Sequence, residues 1–198
     1  MPTRKERTIK KHPQETVLDA FEIHGIPVEL IHWQPFLWCG FSSCAPNDTD
    51  EPDIKGITEQ YRNLPFEKMK GKEENWDACL SFNYLSGGRP RAVAYAILTD
   101  SPEQPCACER IRLPEGVFLK ISLADGTAAA LRREPWHGGI PPYSWILDQI
   151  APEAGYVADP GDLPIVEYYG FFDMDTFEHK YRYLYVPVNA GRAAASVE

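Results

Sequence analysis

A chain of 198 residues, 43% of them hydrophobic, is long enough for one domain with a sizeable core. Its formal net charge of -9 opposes phosphate backbones and anionic lipid, which are bound through clustered Lys and Arg, so neither nucleic acid nor membrane is expected as a direct partner. No apolar run approaches a bilayer span, the N-terminus is charged where a secretory signal is apolar, and five irregularly spaced cysteines describe no disulfide framework; a cytoplasmic protein with reduced thiols is expected.

The basic run Arg4, Lys5, Arg7, Lys10 and Lys11 reads as a solvated tail. Residues 13–24 carry Val17, Leu18 and Phe21 at helical spacing between Pro13 and Gly25, which predicts a short helix, and no room is left before Val28 for a helix-turn-helix reader. Residues 28–41, VELIHWQPFLWCGF, are aromatic and branched, and Pro35 makes them a bent or edge strand. Behind Asp53 as N-cap, Ile54, Ile57, Tyr61 and Leu64 recur at helical offsets until Pro65. Trp76, Ala78, Leu80, Phe82 and Tyr84 then alternate with Asp77, Cys79, Ser81 and Asn83 as a half-buried strand, a turn at Ser86–Gly88 follows, and residues 92–98 form the next strand. Cys106 and Cys108 make a CxC pair that lacks a second ligand pair, so no metal is expected.

The second half repeats the order. Residues 109–123 give a strand interrupted at Pro114 and Gly116, and residues 127–133 and 143–150 are predicted helices around a Gly/Pro break. Two aromatic strands follow the turn at Asp159–Gly161. Corresponding elements stand roughly 80 to 90 residues apart, as in an internal duplication. The expectation is an α+β fold of two pseudo-symmetric strand-helix-strand-strand units, about 28–100 and 107–188, with helices on one face of an antiparallel sheet and a ligand groove at the centre. Residues 1–27 then form a tail and short helix, 28–190 the domain, and 191–198 a second tail.

The stretch LPIVEYYGFF, residues 163–172, holds one charge, Glu167, on a face shared with Ile165, Tyr169 and Phe171. In the following strand Tyr181, Tyr183 and Tyr185 share a face. If those rings surround Glu167, they make a cup for an organic ligand, walled also by Trp38 and Tyr143 and closed by Trp136 on its Gly-flanked loop. A carboxylate in such a cup loses hydration worth several kcal/mol, which a ligand cation restores with help from aromatic faces. Burial also raises a carboxyl pKa toward the range of general acid-base catalysis. The plain alternative is that Glu167 faces water or pairs with Arg182 and the rings are ordinary packing. GxSxG and Gly-rich phosphate loops are absent, the histidines are scattered, and no cofactor is expected.

Several of these stretches resemble the GyrI-like small-molecule-binding domains: VELIHWQPFLWCGF with its central Pro35 and its Gly40, RLPEGVFLKISL with its proline and glycine, APEAGY as a helix-ending turn, LPIVEYYG with its Glu-x-Tyr, and YRYLYVPV closing into proline. The resemblance covers residues 28–188. It implies two like units around a pocket for amphipathic, often cationic, aromatic molecules, with the family's pocket glutamate at Glu167. It also implies a choice of roles: an effector domain, a stand-alone binding protein, or a hydrolase of cyclopropane-bearing alkylating natural products with Glu167 as acid-base and Tyr169 as its orienting partner. An interaction module acting on another protein is a further alternative, favoured by the acidic surface alone.

Overall fold

The computed structural model describes residues 15–47, 49–85, 89–122, 147, 150–159, 161–172 and 179–189. Among the described residues nine antiparallel strands carry the architecture: β1 (Glu15–Ile23), β2 (Ile26–Trp33), β3 (Phe36–Cys44), β4 (Lys72–Leu85), β5 (Arg89–Thr99), β6 (Glu109–Leu113), β7 (Gly116–Ser122), β8 (Ile165–Phe172) and β9 (His179–Pro187). Among the described residues, helix comprises α1 (Ile54–Arg62), a 3-10 turn at Phe66–Lys68, the π-helical residues Leu147 and Ile150, and the single turn α2 (Ala151–Glu153). The fold is a sheet-rich α+β one, and the strands form a single sheet in the order β1-β2-β7-β9-β8-β4-β5-β3-β6.

The helix expected over residues 13–24 is a strand. β1 pairs with β2 up to Ile23 opposite Ile26, and His24 and Gly25 between them both have positive φ, 51° and 77°, the geometry of a two-residue hairpin turn. Gly25, read as a helix stop, turns a hairpin, and Val17 and Leu18 stay exposed rather than forming a buried helical stripe. Pairing to β2 outweighs weak local spacing in so short a segment. Among the described residues the first strand starts at Glu15, within the stretch expected to be helical.

Both prolines act as read. Gln34 and Pro35 separate β2 from β3, and Pro114 and Glu115 separate β6 from β7. β2 pairs with β7 as far as Trp33 opposite Gly116, and β3 pairs with β6 from Phe36 opposite Leu113, so the two bent strands run antiparallel in one register through both bends. Since β2 and β3 lie near opposite ends of the strand order, this pairing curls the sheet and brings its ends together. Gly40 allows the close approach of β3 to β5: a Cβ there would stand 1.9 Å from the Tyr95 carbonyl oxygen.

The curl gives the sheet an inner face. Trp33, Phe36, Trp38, Trp76, Leu80, Phe118, Tyr168 and Tyr185 pack together on it, all buried, with Tyr183 half-buried beside them. The three indoles are 0 to 1% exposed. On the other parity, Ile57 of α1 packs with Cys79 and Val93, and Tyr61 packs with Cys39 and Ile97. Ile150 and Ala151 pack with Leu119, Ile165, Leu184 and Val186. α1 starts as predicted, with the Asp53 carboxylate accepting from the Gly56 N–H at 2.9 Å. α2 ends at Gly155, whose φ of 80° suits glycine and whose N–H donates to the Pro152 carbonyl, as APEAGY predicts. The helices expected over 127–133 and 143–150 lie outside the described residues except for Leu147 and Ile150, as does the Ser86–Gly88 turn.

Candidate functional site

Glu167 stands on β8, the fifth of nine strands, and is 7% exposed. Its partners across the ladders are Cys79 of β4 and Leu184 of β9. Cys79 belongs to the cluster under α1, and Leu184 to the cluster under Ile150 and Ala151, so Glu167 lies on the seam between two separately packed groups. A buried carboxylate in apolar company is held only when charge or donors answer it.

The aromatic residues expected around Glu167 are divided. Cross-strand partners share a face, so Tyr168, opposite Ala78 and Tyr183, points to the inner side while Glu167 points to the outer one. Trp38 and Tyr183 are both inner-face residues, across the sheet from Glu167. The tyrosine row is interrupted as well: the register of β8 with β9 shifts between Tyr168 and Tyr169 and again before Phe171, so Tyr169 pairs with Tyr181 and Phe171 with Lys180. Such paired irregularities break the simple alternation that sequence spacing assumes. Trp136 and Tyr143 lie outside the described residues.

Two groups of functional type were not singled out in the sequence. The first shares the outer face with Glu167. Asp77 of β4 follows the parity of Cys79 and is the diagonal neighbour of Glu167, and the buried Tyr61 hydroxyl, brought by α1, donates to Asp77 Oδ1. Burial, and then the charge of Asp77 and the bond to it, push the Tyr61 hydroxyl well above its usual pKa. Asp77 had the pattern of a solvent-facing residue in an alternating strand, and the packing of α1 brings the Tyr61 hydroxyl to it.

The second group lies on the inner face. The Lys120 ammonium donates to Glu15 Oε1 at 2.7 Å and is 2.9 Å from Glu29 Oε2. It also stands 4.5 Å from the Tyr183 ring centroid, and the Tyr185 hydroxyl is 3.5 Å from Glu15 Oε2. The Glu15 side chain is 0% exposed, that of Lys120 9% and that of Glu29 36%. Burial lowers the Lys120 pKa, but its bonds to Glu15 and Glu29 outweigh that, and the net shift is upward. Burial, followed by the charge of Glu15, pushes the Tyr185 hydroxyl well up. A sequence signal existed: Lys120 in GVFLKIS is a lone charge in an apolar strand, the same signature that marks Glu167.

The inner face also holds the Trp38 indole N–H, fully buried with no hydrogen-bond partner among the described residues. Cys39, Cys106 and Cys108 gather near α1, with 3.7 Å between the last two sulfurs, and burial raises all three thiol pKa values. Among the described residues no group of three or more His, Cys, Asp or Glu is arranged to hold a metal ion, and no helix is long and apolar enough to cross a membrane.

No protein-family model and no curated protein sequence matches this chain. Solved structures do. SAV2435, solved bound to tetraphenylphosphonium, superposes with a TM-score of 0.52 at 13% identity, over 82% of this chain and 94% of that one. The EcmrR C-terminal domain follows at 0.48 and 13%, over 83% and 98%. A Staphylococcus aureus MU50 protein named for bacterial transcription regulation also stands at 0.48 and 13%, over 82% and 98%. At such low identity the likeness to SAV2435 is one of fold.

Proposed function

With the GyrI-like fold as premise, we propose that this chain binds small amphipathic, cationic aromatic molecules on the outer sheet face, with Glu167 as the counter-charge. The observation that carries the reading is a carboxylate only 7% exposed on the central strand, at the seam between two apolar clusters. Asp77, two residue pairs along the ladder, adds a second negative charge on the same face. A lipophilic cation is attracted by both charges, and its hydrocarbon body suits the apolar side chains at the seam. SAV2435, which shares the fold, was solved with a ligand of that chemistry.

The finer architecture belongs to the same proposal. The strand order from β2 to β6 reads as its own reverse when β2, β3, β4 and β5 are exchanged for β6, β7, β8 and β9. That supports two like units, each with helical structure over the outer face, and Glu167 near their junction. The cytoplasm, where five free thiols stay reduced, suits such a binder.

Titration of the wild type and Glu167→Gln with tetraphenylphosphonium tests the reading. The variant is expected to keep its circular dichroism spectrum and thermal midpoint and to lose about 1 kcal/mol or more of binding, roughly a fivefold weakening. Equal affinities reject it.

A further inference from the structure

Three cysteines pack with Tyr61 of α1: Cys39 on β3, Cys108 just ahead of β6, and Cys106 in the loop before it. The Cys106 thiol donates to Cys108 with 3.7 Å between the sulfurs, and Cys108 is hydrogen-bonded to Cys39 behind it. Cys106 is half-buried, whereas Cys108 and Cys39 are 4% and 0% exposed. The loop that carries the pair is fastened on both sides. The Gln104 amide donates to the Lys70 and Ser101 carbonyls, each at 2.9 Å, and the Arg110 guanidinium donates to the Pro102 carbonyl at 3.1 Å and to that of Cys108. The two sulfurs are therefore held at one spacing before a ligand arrives.

That spacing and its surroundings select the ligand. With bonds to sulfur of about 2.3 Å, as zinc makes, two thiolates on a linear ion stand about 4.6 Å apart, and two on a pyramidal atom with angles of about 100° stand about 3.5 Å apart. The pair fits the pyramidal atom. A tetrahedral ion wants further ligands, and among the described residues no group of three or more His, Cys, Asp or Glu is arranged to hold one. A metal ion also takes its thiols ionised, which burial opposes at both cysteines.

We propose that Cys106 and Cys108 capture a trivalent organoarsenical, R–As(OH)2, as a neutral cyclic dithiolate. Two As–O bonds break and two As–S bonds form; each thiol proton leaves with a hydroxide as water, and arsenic remains trivalent. No charge enters the cluster, so the exchange suits thiols that burial keeps neutral. It begins at the half-buried Cys106 and closes on Cys108. Phe66 and Tyr95, partly buried against the same cluster, offer an apolar surface to an aryl R group. The proposal does not rest on Glu167.

Intact-mass spectrometry with phenylarsine oxide, in the presence of excess glutathione as a competing monothiol, tests the site. One phenylarsenic per chain is expected to remain, because chelation by two thiols adds on the order of a hundredfold to the affinity of one. Cys106→Ser and Cys108→Ser are each expected to lose the adduct, and Cys44→Ser and Glu167→Gln to keep it. A wild type without adduct, or an adduct that survives Cys106→Ser, overturns the proposal. Should Cys108→Ser fail to fold, the wild type still decides: the arsenical is expected to shield Cys106 from iodoacetamide while the exposed Cys44 stays open to it. Equal alkylation of Cys106 with and without the arsenical overturns the site.

Discussion

The two faces of the sheet divide the labour in the opposite way from their residue types. The inner face holds most of the large rings, yet Trp33, Trp38, Trp76, Phe118, Tyr168 and Tyr185 are buried against one another by the curl of the sheet. The outer face near Glu167 is lined by Ile165, Leu184, Val93 and Cys79, smaller and mostly aliphatic, under helical structure. Rings therefore do not by themselves mark a binding cup. What each face does hold is charge kept away from water, Glu167 on one and the Glu15–Lys120–Glu29 group on the other.

If the inner face is core, its loss is felt in stability first. Trp33→Ala is expected to cost about 3 to 5 kcal/mol in chemical denaturation, because the indole is fully buried and stands 4.4 to 4.8 Å from the rings of Phe36, Phe118 and Tyr185. A cost near 1 kcal/mol would show that the rings line a cavity rather than a packed core.

On the outer face the next effect is smaller. Tyr61→Phe is expected to cost about 2 kcal/mol at neutral pH by removing the donor to Asp77. It also bears on alkaline stability. Tyr61, Tyr185 and Lys120 all have folded pKa values raised above their ordinary 10.0, 10.0 and 10.5, so their contributions are complete below pH 10 and are lost as pH rises through the folded values. Unfolding midpoints are expected to hold steady up to about pH 10 and fall above it, and Tyr61→Phe to make the fall shallower. A variant with the wild-type slope would show that burial and Asp77 do not hold this tyrosine protonated in the folded state.

The smallest effect belongs to the rim. His24 Nε2 and Glu153 Oε2 stand 2.7 Å apart, joining the β1–β2 turn to α2, but both side chains are about half exposed. Glu153→Gln is expected to change stability by about 0.5 kcal/mol or less, since water and salt screen such a pair. A thermal midpoint shift as large as that of Tyr61→Phe would mean that β1 is fastened to the sheet chiefly from this side.

Much of the fold was legible because its signals are local. Asp53 before a helical stripe, the alternation from Trp76 to Phe82, Pro35 and Pro114 as bends, and Gly155 as a helix stop all act within a few residues of themselves. β1 was misread because its helical spacing was competing with a partner strand that only the fold brings alongside. The candidate site was legible in one residue, Glu167, and illegible in its surroundings: alternation along one strand cannot say which face of a curled sheet is inside, nor anticipate the irregular register at Tyr169 and Phe171. Lys120 carried the same lone-charge signature, but its carboxylates are 91 and 105 residues away in the chain.

By itself the sequence determined where the chain bends, turns and starts its helix, since those are properties of short segments and their backbone freedom. Tertiary structure decided which neighbours each buried charge keeps, because burial and pairing are set by strands that meet from distant parts of the chain. Glu167 was therefore visible as a residue, and its face, its seam and its separation from Tyr168, Tyr183 and Tyr185 only as consequences of how the sheet rolls.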